Sequence, residues 1–213
     1  MPILAEDVMA ASKVVYILDT NILVRFPDAV RKIAAREDTL VNIPLCVLDE
    51  TDHHRGAIGK RGLYARSVFR MLHDLGYNGN GSLSKGVRIG RGMGFLMIDT
   101  SLVSARDTLG LKQTPDNQIL IIAQKWMDSE FCRSNHVSVS VMTGDIALSV
   151  KAWTLGIAAE DYCEDGEEMD FMPNLRCNKF SADRLPRRFK APSLHAQQKL
   201  KRPKSTERKK RRR

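Results

Sequence analysis

Apolar positions along the chain fall into short continuous runs that alternate with repeats at helical spacing. Val14-Val15-Tyr16-Ile17-Leu18 is unbroken and rich in β-branched residues, which predicts a strand covered on both faces, as in a parallel sheet. It stops at Asp19-Thr20-Asn21. Thr39-Leu40-Val41-Asn42-Ile43 predicts a second strand, ended by Pro44, with a helix over residues 45–52. Ala65, Val68, Phe69, Leu72 and Leu75 then recur at the spacing of one helix face, and Gly76 is placed to cap that helix. Phe95-Leu96-Met97-Ile98 predicts another strand. Thr114-Pro115-Asp116 combines an N-cap, a proline at the first helical position and an acid in the first turn, ahead of Ile119, Ile122, Ala123 and Trp126 on one face. Val137, Val139 and Val141 alternate with serines, the mark of a half-covered strand, up to Thr143-Gly144-Asp145. Leu148, Ala152 and Leu155 give a last helical face closed by Gly156, and residues 157–159 suit a final short strand. Strands alternating with helices imply an α/β domain whose central sheet is mostly parallel, joined by right-handed crossovers and flanked by helices. In such sheets ligands bind outside the carboxyl ends of the strands.

Residues 76–94 hold seven of the fourteen glycines, so they are expected to form a long loop or loose hairpin, with Lys85, Arg88 and Arg91 making it a candidate substrate-contacting flap. Composition is otherwise ordinary: 43% hydrophobic and 28% charged in 213 residues is enough for one real core, and excludes wholesale disorder, collagen-like repeats and a disulfide miniprotein. Apolar runs stay far short of the roughly 20 residues a membrane helix needs. No secretory leader is recognisable around Glu6 and Asp7, so the expected location is cytoplasmic. Four dispersed cysteines, without a Cys-x-x-Cys pair, are expected to be reduced and mostly buried.

The charge is uneven. Residues 186–213 carry thirteen Lys and Arg against Glu207 alone, a net +12, while the remainder nets −3. The expected organisation is an N-terminal segment (1–12), a catalytic domain (13–163), an acidic linker and connecting segment (164–185) and a basic disordered tail (186–213). The tail ends in Arg208, Lys209, Lys210, Arg211, Arg212 and Arg213, a dense cationic arm suited to releasing counterions from nucleic acid, with a merely solubilising tail as the plainer reading.

Asp19 follows the first strand, Asp145 follows the serine–valine strand, Asp116 opens a helix, and Glu50 sits early in the helix after the second strand. Four carboxylates on one edge would repel and raise one another's pKa unless a cation neutralised them. Mg²⁺ or Mn²⁺ suits oxygen ligands and phosphate substrates, and one or two such ions support phosphodiester hydrolysis by an activated water. In that scheme Asp19 and Asp116 bind the principal ion, Asp145 completes or shares the site, and Glu50 holds a second ion or orients its water. Thr20, Asn21 and Thr143 would hold the carboxylates by hydrogen bonds. Each acid taken singly is as well explained as a helix cap or turn residue.

The joint pattern is more specific. Ile17-Leu18-Asp19-Thr20-Asn21-Ile22-Leu23, Ile43-Pro44-Leu45-Cys46-Val47-Leu48-Asp49-Glu50, Asp116-Asn117-Gln118-Ile119-Leu120, and Thr143-Gly144-Asp145 with Ala152-Trp153-Thr154-Leu155-Gly156 resemble, in order, the four motifs of the PIN-domain nuclease family. The stretch from Ala152 through Glu160-Asp161-Tyr162 looks especially like the PIN domain that precedes a PhoH-type ATPase. The resemblance implies a Rossmann-like fold, endonucleolytic cleavage of single-stranded RNA with DNA not excluded, Mg²⁺ or Mn²⁺, and Asp19, Glu50, Asp116 and Asp145 as the acidic quartet. The family also includes inactive members. No Gly-x-x-x-x-Gly-Lys-Ser/Thr phosphate loop occurs in these residues. The neighbours Asp49 and Asp52 make the second acid's assignment open to competition, and a homo-oligomer is left open.

Other signals carry less. Gly90-Arg91-Gly92-Met93-Gly94 precedes a strand where a dinucleotide fingerprint requires a helix. His53 and His54 are adjacent on a helix and so point apart. Trp126 and Trp153 are expected in the core, and Lys60, Arg61, Arg66 and Arg70 are either phosphate contacts or a solvated face. Two competing functions remain: a PIN-like module that binds nucleic acid or a partner without turnover, and a phosphatase of the haloacid dehalogenase type, whose Asp-x-Asp pattern is broken by Asn21.

Overall fold

The computed structural model describes residues 5–78, 82–101, 103 and 111–162. Cys163, Cys177, the acidic linker and the basic tail lie outside the described residues. The elements run α1 (Glu6–Ala11), β1 (Val14–Leu18), α2 (Thr20–Arg25), α3 (Ala29–Ile33), β2 (Thr39–Pro44), α4 (Leu45–His54), α5 (Lys60–Asn78), β3 (Val87–Arg88), β4 (Phe95–Asp99), α6 (Pro115–Asp128), α7 (Glu130–Asn135), β5 (Ser138–Met142), α8 (Ile146–Thr154) and β6 (Ala158–Glu160). The strand order is β3-β4-β2-β1-β5-β6, parallel except for β3. This is the α/β architecture expected from the sequence, with helices around a mostly parallel sheet.

β1 lies between β2 and β5 and is buried at all five positions, which is why its sequence is an unbroken apolar run rather than an alternation. The chain builds outward from β1 through β2 to β4 and then returns to β1's other side with β5. The order therefore reverses between β1 and β5, and a crevice outside their carboxyl ends is where this class of sheet takes its ligands. Val15, Ile17, Leu40, Val41, Leu96 and Val141 are fully buried in the sheet, against Leu120 and Trp126 of α6 among others.

The local reasons for the main helices are the ones the sequence offers. Thr114 accepts a hydrogen bond from the Asn117 amide, and Pro115 opens α6. Gly156, with φ +75°, supplies the left-handed residue after α8.

Several expectations change. β2 includes Pro44 as its last residue. α5 runs through Gly76 to Asn78, and that glycine is a packing site: a Cβ there would meet Leu83 Cδ1 at 3.3 Å. Of the two forms expected for the glycine-rich segment, its described part takes the hairpin: β3 is an edge strand joined to β4 by a turn. β3 pairs antiparallel with β4, and Gly94 is squeezed so closely that a Cβ would lie 2.2 Å from the Thr39 carbonyl oxygen. Arg88 pairs with Phe95, at the start of β4, stacks over its ring at 4.3 Å and donates to the Met93 carbonyl. Arg88 and the adjoining Arg91 turn therefore lie toward the amino ends of the strands, away from the edge that carries the acids, which removes them from a flap over that edge.

Ser140 is buried because β6 covers β5's outer edge, so β5 is not half-covered. Trp126 is core, at 1% exposure, but Trp153 is 57% exposed: the buried face of α8 is Leu148 and Ala152, and the next residue turns about 100° away. Val8 of α1 is fully buried in the core, so α1 packs onto the domain. Among the described residues no helix is long and apolar enough to cross a membrane.

Candidate active site

The site forms where β1 and β5 end. Asp19 caps α2 immediately after β1, its Oδ1 accepting from the Thr20 amide at 2.6 Å. Its Oδ2 accepts from Asn21 Nδ2 and from Thr143 Oγ1, each at 2.6 Å. Asn21 also accepts from the Gly144 amide at 3.1 Å, so one carboxylate and one carboxamide tie the β1 turn to the β5 turn. Asn21 and Thr143 thus hold the Asp19 carboxylate, and Thr20 holds another, donating its hydroxyl to Glu50 Oε2 at 2.7 Å, which draws the acid of α4 toward the end of β1.

Asp19 is 6% exposed. Its pKa is pushed up to about 6, chiefly by burial, opposed by the Thr143 and Thr20 hydrogen bonds, and further raised by the negative charges of Asp116 and Glu50. Asp116 and Glu50 thus both act on Asp19 across the same edge. Asp116, in the first turn of α6, is half-exposed, and Lys151 Nζ stands 4.0 Å from its Oδ2.

Asp145 lies at the same edge but is turned to a second task. Its Oδ1 accepts from the amides of Ala147 (2.7 Å) and Leu148 (3.4 Å) as the cap of α8, and its own amide donates to Thr143 Oγ1 at 2.9 Å. Thr143 is therefore the bridge between Asp19 and Asp145. Of the neighbouring acids, Glu50 takes the Thr20 contact, while Asp52 pairs with Arg55.

The donor chemistry fits a hard divalent cation. The edge offers carboxylate and hydroxyl oxygens without sulfur, and it includes a buried carboxylate whose charge is disfavoured as it stands. Among the described residues, however, no three His, Cys, Asp or Glu side chains stand close enough together to enclose an ion. The acids converge in region and in electrostatics, and they are not drawn into a closed ligand shell. His53 contacts the Asp49 carbonyl and is exposed. Cys46 and Cys132 are free thiols whose pKa values burial raises, Cys46 to about 11.

Sequence reasoning missed two cations and one acid here. Lys151 reaches Asp116 and, at 3.5 Å, Asn117 Oδ1; only the fold brings α8 to α6, so no local pattern signals it. Arg25 is one turn beyond Asn21. A Cβ on Gly144 would lie 3.5 Å from its Nη1 and 3.6 Å from Asp161 Oδ1, and its charge partly offsets the burial that raises the Asp161 pKa. Asp99 follows β4 as Asp19 follows β1, yet it is 1% exposed and fully engaged by Asn42 Nδ2 (3.0 Å), Trp126 Nε1 (2.8 Å) and the Ser101 amide (2.9 Å). Its position in the sequence alone does not separate it from the acids of the candidate site.

Comparison with known proteins bears on the same residues. A family model described as a PIN domain matches residues 16–163. Protein PhoH2 of Bacillus subtilis is 31% identical over 153 residues, covering 71% of this chain and 33% of that protein. Protein PhoH2 of Mycolicibacterium smegmatis is 31% identical over 156 residues, covering 69% and 32%. The chain thus spans about a third of the length of the curated relatives it matches. Among solved structures, a domain of a functionally unknown protein from Methanocaldococcus jannaschii superposes with a TM-score of 0.43 at 15% identity, covering 74% of this chain and 97% of that one.

Proposed function

The chain belongs to the PIN-domain family, whose members are generally nucleases, and on that premise we propose that it is a metal-dependent endoribonuclease of the cytoplasm, hydrolysing phosphodiester bonds of single-stranded RNA. The observation that carries this reading is Asp19: a carboxylate buried at the reversal point of the sheet, pushed up to about 6 and facing the charges of Glu50 and Asp116. Burial and the two neighbouring carboxylates make its ionised form costly, and a bound cation would offset that cost.

Asp19 and Asp116 would hold a Mg²⁺ or Mn²⁺ ion, with Asp145 completing or sharing the site and Glu50 holding a second ion or orienting its water. Such an ion would supply Lewis acidity toward phosphoryl oxygens and make a bound water acidic enough to serve as nucleophile. The protein's own contribution is placement. Thr143 and Asn21 lock the Asp19 carboxylate in one rotamer, and Thr20 does the same for Glu50. Lys151 and Arg25, at either end of the acidic edge, offer positive charge to the phosphates that flank the scissile one, which the carboxylates would otherwise repel. The basic tail adds sequence-independent affinity through phosphate contacts.

The alternative reading is a PIN-like module that binds nucleic acid or a partner without turnover. Incubating purified protein with labelled single-stranded RNA and DNA, in Mn²⁺, in Mg²⁺ and in chelator, separates the two. Metal-dependent internal cleavage that Asp19→Asn abolishes supports the nuclease. Binding without cleavage under every condition rejects it.

A further inference from the structure

A second surface lies on the opposite side of α4 from the acids. Leu48 and Glu50 are two residues apart and so point roughly 200° apart around the helix. Glu50 faces Thr20, and Leu48 lines a groove of about 500 Å³ walled by Phe69, Leu72, His73, Tyr77 and Ile98. The walls are almost wholly apolar, yet the rim is not. Arg66, Arg70, His73 and Tyr77 follow one another at intervals of four, three and four residues on α5, which places them in one stripe along the helix. His73 and Tyr77 are stacked, with centroids 6.0 Å apart and planes only 4° from parallel. Tyr77 is 82% exposed, a large area for an aromatic ring with no structural duty in the core. Arg55 lies over the Phe69 ring at 5.3 Å, and its carbonyl accepts from Arg66 Nη1. Two acids temper this rim, Asp52 paired with Arg55 and Asp74 beside His73, but the arginines outnumber them.

We infer that this groove and its rim take unstacked bases of a single-stranded nucleic acid, with a base on the Tyr77–His73 pair and the adjoining phosphates on Arg70 and Arg66. An apolar, aromatic-faced cleft edged by guanidinium groups is complementary to a strand that carries a flat π-face on one side and a negative charge on the other. The position suits this. α4 is a single helix, roughly 10–12 Å across with its side chains, so a strand whose phosphate sits at the acidic edge reaches the groove within a few nucleotides. The inference rests on the reading of the chain as one that handles single-stranded nucleic acid, and it gives that reading a physical basis for preferring unpaired strands: bases locked in a duplex cannot present a face to Tyr77.

Binding in chelator tests it without reference to catalysis. Full-length protein is titrated against a labelled single-stranded RNA and against a strand of equal length lacking its bases, followed by fluorescence anisotropy at raised salt to suppress purely ionic contacts. Tyr77→Ala should weaken binding of the intact strand about 5- to 150-fold, the range of one lost base stack, and leave the abasic strand unchanged. Tyr77→Phe should bind like the wild type. Arg70→Gln should weaken both strands alike and lower the salt slope by about one. Because Tyr77 is exposed, its loss does not threaten the fold. If Tyr77→Ala binds the intact strand like the wild type, or weakens both strands equally, the inference falls, and the groove is left to a protein partner. Loss of the nuclease reading would appear elsewhere, as absent cleavage with the Tyr77 effect intact.

Discussion

Substituting Asp19 by Asn isolates the electrostatic cost of the site. The folded-state pKa of about 6 against an ordinary 3.8 means that the folded protein holds a proton which the unfolded chain has already released between those two values. The stabilising contribution of the protonated form is complete below pH about 3.8 and is lost as pH rises through about 6. Two units of displacement correspond to about 3 kcal/mol. Asn cannot ionise and so escapes that loss, but it pays in hydrogen bonds: Asp19 accepts from Thr20, Asn21 and Thr143, and an NH₂ placed against two donors costs about 1–3 kcal/mol. The variant should therefore be less stable than the wild type near pH 4 and about equal to it near pH 8 in metal-free buffer. Denaturant unfolding at a series of pH values with chelator measures this. The stability difference should change by about 3 kcal/mol across the series, in the direction that favours Asn at high pH. A difference that stays constant with pH would refute the claim that Asp19 is electrostatically strained.

Other outcomes follow from the same geometry. Lys151→Gln removes a cation 4.0 Å from Asp116 across a half-exposed gap, so Mn²⁺ should bind about 2- to 5-fold more tightly, the worth of a surface pair, as read by calorimetric titration. Asp99→Leu strands the buried donors of Asn42 and Trp126; it should lower stability by about 2–5 kcal/mol and perturb Trp126 fluorescence, while the folded fraction still cleaves. Deleting residues 186–213 should weaken RNA binding and flatten its salt dependence while leaving slow cleavage of short substrates intact; an unchanged salt slope would reject the tail's role.

How much of this was legible in the sequence depends on the range of the interaction involved. β1 could be read directly, because burial on both faces leaves an unbroken apolar run, and α6 could be read from Thr114 and Pro115, because a helix start is decided within four residues. Gly76 misled because a glycine near the end of an apolar stripe reads as a cap, whereas here it clears space for Leu83, which is set by the return of the chain. Trp153 misled because one residue's phase on a helix decides between core and solvent. At the edge, Asp19 and Asp116 stand out in the sequence because one follows a strand and the other opens a helix, whereas Glu50, the sixth residue of α4, is drawn there by the Thr20 hydroxyl. Asp99 obeys the same rule and is structural. What separates them is the Trp126 indole reaching across from α6, a partner 27 residues away. Lys151 was invisible for the same reason, as it meets Asp116 only through the packing of α8 on α6.

Equilibrium binding of Mn²⁺ to metal-stripped protein at pH 7.5, in the wild type and in Asp19→Asn and Asp116→Asn, tests most directly whether the acidic edge is a divalent-cation centre. Saturable binding to the wild type that both substitutions weaken at least tenfold, and that in the wild type loosens as pH falls through about 6 where Asp19 takes up its proton, is the expected result. Binding of equal strength in all three proteins, or none in any, would contradict it.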